Sequence, residues 1–330
     1  MDLVLNISND DDLVVFDCDD SYESWIEITK YMVQFGYLVP GAILNFLLIR
    51  TIWSRHPDTY LTSPFFIIYS MDCFFSILII ICDIIGRFIM YIPPLCPILA
   101  PLFYGPQYFF KAVMIVLNHS KTSKFIIQSL LVLNRMTSVK YPNSYTKNWK
   151  KHLKWVTAIV FLLPSATDWN LAISSVYMLP AFGGFYFEYT RKVAWAKQSR
   201  FQLFFISVAL IFTIICTSYT LRALMSLQYR IKRAERTITI ASAYMSIGYV
   251  IMAGFQFFFA FFPYLPGSVM FGLSLLCYDI LNVGSPIIMV LVSKGLREDV
   301  LGLRQENEAN QENQGNPRVP VFSIVPSRRN

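Results

Sequence analysis

The chain has 330 residues, of which 55% are hydrophobic, 16% aromatic and only 15% charged, against roughly one-quarter charged in an ordinary soluble domain. Such a composition excludes a water-soluble globule. The net charge of +7 does not indicate nucleic acid, because the basic residues sit in short clusters between apolar runs, not on one face interleaved with exposed aromatics.

Residues 1–30 read as an exposed acidic tail, with Asp10, Asp11, Asp12, Asp17, Asp19, Asp20 and Glu23. The tail carries the sequon Asn6-Ile7-Ser8, so Asn6 is an expected glycosylation site. It has no basic leader and no apolar core followed by small residues, so a cleaved signal peptide is not expected and the first span serves as its own insertion signal. A bilayer core about 30 Å thick needs about 20 apolar residues per helix. Six runs meet that length: Tyr31 to Ile52, Phe65 to Ile85, Trp155 to Ile173, Phe201 to Leu224, Ile238 to Phe262 and Val269 to Val292.

A seventh stretch, Tyr108 to Val139, is long enough but carries Asn118, His119, Ser120, Lys121 and Lys124 near its middle. Loop charge decides whether it crosses. With seven spans and the N-terminus outside, the inner side collects Arg50, Arg55, the cluster from Arg135 to Lys154, the cluster from Arg222 to Arg236, Lys294, Arg297 and Arg304. The outer side then holds only Lys30, Arg87, Arg191, Lys192, Lys197 and Arg200. With six spans the basic clusters fall on opposite sides, against the positive-inside rule. The expected fold is therefore an all-α membrane protein, a seven-transmembrane helix bundle with its N-terminus outside, its membrane domain covering residues 31–303. Five prolines from Pro93 to Pro106 predict an irregular outer loop before the third span. Beyond the last span, Leu296, Val300 and Leu303 recur at helical spacing and predict a short amphipathic helix on the inner membrane face. The tail from 304 to 330 is polar and is expected to be disordered.

Cys73, Cys82, Cys216 and Cys277 fall inside spans and read as small buried apolar residues. Cys18 and Cys96 both lie on the oxidising outer side, where a disulfide between them and two unpaired thiols are the alternatives. His56, His119 and His152 are far apart and have no metal-ligand spacing, and neither a Gly-x-Ser-x-Gly elbow nor a phosphate-binding glycine loop is present. No metal, cofactor or enzymatic activity is expected.

Ionisable groups inside a span cost several kcal/mol unless paired or hydrated. At about 100° per residue, Lys121, Lys124, Gln128 and Arg135 fall within about 60° on the third helix. Asp72, Ser76 and Asp83 share a face of the second, and Asp279 lies on the seventh. Asp72 and Lys124 come at similar depth and are expected to neutralise one another, with Asp83 and Asp279 as further members of the intramembrane pairing. Lys121, with Asn118 one turn away, is the candidate ligand-facing cation, suited to a carboxylate or to several hydroxyls. Gln256 and Tyr278, with Gln202 and Phe205, are further candidates to line a small-molecule site.

Two motifs carry a family resemblance. The third span ends Leu133-Asn134-Arg135-Met136-Thr137-Ser138-Val139, and the second begins Leu61-Thr62-Ser63-Pro64-Phe65-Phe66-Ile67-Ile68-Tyr69-Ser70-Met71-Asp72. Together they resemble the nematode serpentine receptors of class gamma, over nearly all of the chain from Tyr31 to Leu303. The resemblance implies reception of environmental or pheromone molecules in sensory neurons, at the plasma membrane or cilium, with signalling through a heterotrimeric G protein. It also sets Asn134-Arg135-Met136 where rhodopsin-like receptors have Asp-Arg-Tyr, which implies a switch role for Arg135. Because Asn134 cannot supply the usual acid, Glu235 is the expected partner of Arg135. The seventh span keeps only the proline of the rhodopsin-like motif, Pro286, and the outer loop after the fourth span has no cysteine. The intramembrane charges keep a transporter or ligand-gated channel as the alternative, weakened by the lack of an internal repeat.

Overall fold

A computed structural model describes residues 17–18, 21–91, 93–190, 192–193, 195–225, 229–262 and 268–302, with backbone alone for 181, 224–225, 229–243 and 268–269. The expected sites Asn6 and Glu235 and the tail from 304 onward lie outside the described groups.

The bundle is built from α1 (Ser24–Arg50), a short α2 (Pro57–Tyr60), α3 (Pro64–Met90), α4 (Cys96–Phe103), α5 (Tyr108–Lys140), α6 (Tyr145–Leu162) and α7 (Ser165–Ile173). It continues with a hairpin of β1 (Val176–Ala181) and β2 (Gly184–Tyr189), then α8 (Gln198–Met225), α9 (Tyr229–Phe261), α10 (Ser268–Val292) and α11 (Lys294–Leu301). The seven long elements are α1, α3, α5, α6 with α7, α8, α9 and α10. Six of them are long and apolar enough to cross a membrane on composition alone, and α5 is the exception because of its central charges. At 33 residues α5 reaches about 50 Å at the usual helical rise, ample for a crossing. It packs against α3, α6, α7 and α8, and so forms the central post of the bundle.

Breaks follow local chemistry. Pro64 occupies the first turn of α3, where a missing N–H costs nothing. The fourth span is split at Leu163-Pro164 because proline cannot donate to the carbonyl four residues earlier, that of Val160. That carbonyl instead accepts a 3.1 Å hydrogen bond from the Ser123 hydroxyl of α5, so the kink becomes a tie between helices. Gly41 of α1 meets α10 so closely that a Cβ there would lie 2.6 Å from Val283.

The outer end differs from its sequence reading in three respects. The proline-rich stretch contains α4, with Pro97 in its first turn and Pro101 inside, where only the short length of the helix limits the lost bonding. The segment after the fourth span forms an antiparallel hairpin, Val176 opposite Tyr189 through Ala181 opposite Gly184. Its turn is Phe182-Gly183, with φ of 56° and 77°, the doubly positive pattern that matches strand twist. Phe182 accepts that conformation while its ring packs against Tyr22, Tyr91 and Phe271. Gly184 rests on the C-terminal carbonyls of α3, where a Cβ would collide with the Ile89 and Met90 backbone. Finally, α1 begins at Ser24, so the last residues assigned to the acidic tail are helical, and Glu27 is buried beside Lys30.

Phe185, Val176, Met178, Phe103, Phe110, Ala100 and Cys96 make a second apolar core beneath this cap, separate from the main core of the bundle. Cys18 and Cys96 are disulfide-bonded, which fastens the N-terminal segment to α4. At the opposite end, α11 buries Leu296 and Val300 in the main core, so this helix is seated on the protein and not only on a membrane surface.

Candidate functional site

Two layers of charge cross the bundle. In the deeper one, Lys124 Nζ of α5 lies 3.3 Å from Asp72 Oδ1 of α3 and donates to the Ser76 hydroxyl at 2.5 Å. Ser76 in turn donates to the Asp72 carbonyl, and Ser285 of α10 donates to Asp72 Oδ2 at 3.4 Å. All are buried, and the charges compensate within one hydrogen-bonded unit, the arrangement a low-dielectric interior requires.

The second layer lies nearer the cap and contains a residue the sequence reading misplaced. Arg87 reads as a loop cation, but α3 continues to Met90, and Arg87 is only 2% exposed. Both terminal nitrogens donate to Asp279 of α10 at 2.7 Å, a bidentate pair, and Tyr37 of α1 donates to Asp279 Oδ2 at 2.5 Å. Asp83, one turn before Arg87, lies 3.8 Å from it, and its Oδ2 is enclosed without a hydrogen bond among the described residues. The missed signal was the spacing of Asp83 and Arg87 at i and i+4, one face of a single helix.

Beside this layer, four helices bring their polar side chains to one place. Gln202 of α8 donates its amide to Asn118 Oδ1 of α5 at 2.6 Å. Tyr278 of α10 donates to Gln202 Oε1, and Gln256 of α9 donates to the Tyr278 oxygen, each at 3.3 Å. Lys121 of α5 stands over the Tyr278 ring, 4.2 Å from its centroid. Asn118, Gln202, Gln256 and Tyr278 are each less than a tenth exposed, whereas Lys121 is only partly buried although it points at a residue of the bundle interior. Carboxamides, a phenol and an ammonium together can donate to and accept from one polar small molecule. His119, one residue from this group in sequence, turns away and pairs with Asp168 of α7 at 2.8 Å. Phe205 packs instead on the main core.

At the inner end, the two sequence motifs meet. The Arg135 guanidinium lies over the Phe65 ring, 3.7 Å from the centroid. Phe65 is stacked with Tyr69 and edge-on to Phe66, which contacts Tyr60 in turn. Asn134 is fully buried and accepts from the Tyr145 hydroxyl at 2.8 Å, and Trp149 donates to the Thr137 hydroxyl at 2.8 Å, so the motif is bolted to α6. Tyr60 donates to Asp299 of α11 at 2.6 Å, with His56 3.7 Å from the same carboxylate, and this joins the first inner turn to α11. Among the described residues no group of three or more His, Cys, Asp or Glu is arranged to hold a metal ion.

Comparison with known proteins gives a consistent picture. A model of the Srg family of chemoreceptors matches residues 31–300. Serpentine receptor class gamma-11 of Caenorhabditis elegans is 53% identical over 297 residues, 90% of this chain and 89% of its own length. Serpentine receptor class gamma-14 of the same nematode is 42% identical over 91% of this chain and 92% of its own. Serpentine receptor class gamma-13 is 37% identical, with 98% of this chain and 96% of its own covered.

Proposed function

This chain belongs to the Srg chemoreceptor family and is a multi-pass membrane protein, and on that premise we propose that it is a chemosensory receptor for a polar small molecule, signalling through a heterotrimeric G protein. The observation that carries the reading is the convergence of Asn118, Lys121, Gln202, Gln256 and Tyr278 from four helices in one connected polar cluster inside the bundle. A ligand there touches α5, α8, α9 and α10 at once. It shifts the bundle between two arrangements by binding one of them better.

The inner end suits the second half of the function. Arg135 is held by an aromatic face on α3, a contact that a small rotation of α5 against α3 breaks. Release of Arg135 and of the basic residues of the second inner loop offers a cationic surface to an acidic partner. Glu235 remains our candidate to hold Arg135 in the resting state. The cell surface or cilium of a sensory neuron is the proposed location.

The test is expression in a cell line with a cAMP, cGMP or calcium reporter and a library of small metabolites. The expected result is a ligand-evoked signal that disappears when the G protein is uncoupled, and that Arg135→Ala abolishes while surface expression persists. Ligand-evoked current in excised patches without nucleotide would instead establish a channel and overturn the reading.

A further inference from the structure

The ion balance of the outer layer narrows the ligand. Arg87, Lys121, Asp83 and Asp279 sum to zero charge, but they are not paired evenly. Arg87 spends both terminal nitrogens on Asp279. Among the described residues Asp83 has one ion-pair contact, at 3.8 Å, and a buried Oδ2 without a hydrogen bond, and it is only 5% exposed. Lys121, whose charge would balance it, makes no salt bridge within 4.0 Å among the described residues and lies against the Tyr278 ring. Arg87, beside Asp83, is bonded to Asp279, and Lys121 stands over the neighbouring Tyr278, so the cation and the anion approach the same stretch of α10, each short of a direct partner among the described residues.

A mono-anion bound at Lys121 leaves the layer with a net negative charge in a low-dielectric interior, and a mono-cation at Asp83 leaves it positive. A molecule carrying both charges preserves neutrality and supplies each group with its missing bond. We propose that the ligand of this polar cluster is a zwitterion, its anionic group on Lys121 and its ammonium on Asp83, with the Asn118, Gln202 and Gln256 carboxamides on the uncharged part between them. The inference rests on the polar cluster proposed above as the binding site, and it replaces the simpler expectation of an acidic agonist.

The test uses the full chain in lipid nanodiscs and reads thermal unfolding with three matched probe series: α- and ω-amino acids from glycine to 6-aminohexanoate, the corresponding carboxylates without the amine, and the corresponding amines without the carboxylate. At least one amino acid is expected to raise the unfolding temperature at a concentration at least tenfold lower than either of its matched probes. Asp83→Asn should make that amino acid no better than its matched carboxylate, and Lys121→Gln no better than its matched amine. Asp83→Glu and Lys121→Arg, which keep the charges, should restore part of the preference and control for misfolding. A carboxylate or amine that stabilises as well as its amino acid, or no stabilisation by any amino acid of the series, overturns the proposal. Stabilisation by an amino acid with no G-protein-dependent signal in cells leaves the zwitterion site standing and removes the receptor reading. A G-protein-dependent response to simple carboxylates does the reverse.

Discussion

The two charged layers of the bundle use the same residue types to opposite ends. Asp72 and Lys124 form a closed unit with two serines, in which the charges oppose each other and their hydrogen bonds are made inside the protein. The outer layer is closed on one side only: Arg87 and Asp279 are locked together, while Asp83 and Lys121 stay apart. A buried charge tolerates an incomplete partner only where something else completes it or where the site is wet. The deeper layer therefore reads as architecture, and the open half of the outer layer is where we propose that a ligand sits.

The largest expected effect tests the locked side. Arg87→Ala leaves Asp279 buried without its bidentate partner and should cost about 3–5 kcal/mol, the range for removing one member of a buried pair. Loss of surface expression, or a melting temperature lowered by several degrees in nanodiscs, checks it. Near-normal expression would show that Tyr37 and water suffice for Asp279.

Breaking the disulfide should come close behind. Cys18→Ser releases a segment closed over 78 residues and should cost about 2–5 kcal/mol, concentrated in the outer cap. The check is a thermal melt with and without reductant, in which the reduced native protein and the variant should coincide.

The deeper layer should behave as a unit. Lys124→Met alone is expected to cost about 3 kcal/mol, and the double variant with Asp72→Asn to recover most of it, because no charge is then left alone. A double-mutant cycle on melting temperatures measures the coupling. Strict additivity would break the contrast between the two layers. Lys121→Gln leaves the outer layer one negative charge in excess, but it breaks no salt bridge among the described residues and should cost less than Lys124→Met, about 1 kcal/mol.

The smallest effect concerns the fourth span. Ser123→Ala strips the Val160 carbonyl of the donor that replaces the missing N–H of Pro164, at about 1 kcal/mol. In the combination with Pro164→Ala, the restored helical donor should make that loss vanish, as read by the same melt.

Much of this was readable before any coordinates. Hydropathy located six spans, loop charge supplied the seventh, and the helical spacing of Leu296 and Val300 foretold α11. Asn118, Lys121, Gln256 and Tyr278 stand out in the sequence as polar residues in otherwise apolar helices. The hairpin was less legible, although Phe182-Gly183-Gly184 between aromatic-rich runs is a turn signal of the right kind.

Apolar run length and loop charge set the solvent and the number of crossings, because about twenty apolar residues in a row have one compatible environment and basic residues one preferred side of it. They could not decide which charge meets which. Helix ends are poorly marked in an apolar run, so hydropathy leaves Arg87 in a loop although α3 continues past it to Met90. The pairing of Arg87 with Asp279 across 192 residues, the separation of Asp83 from Lys121, and the gathering of four helices around Tyr278 depend on rotation and depth of whole helices. Those are set by packing, at contacts such as Gly41 on Val283, and only the folded bundle expresses them.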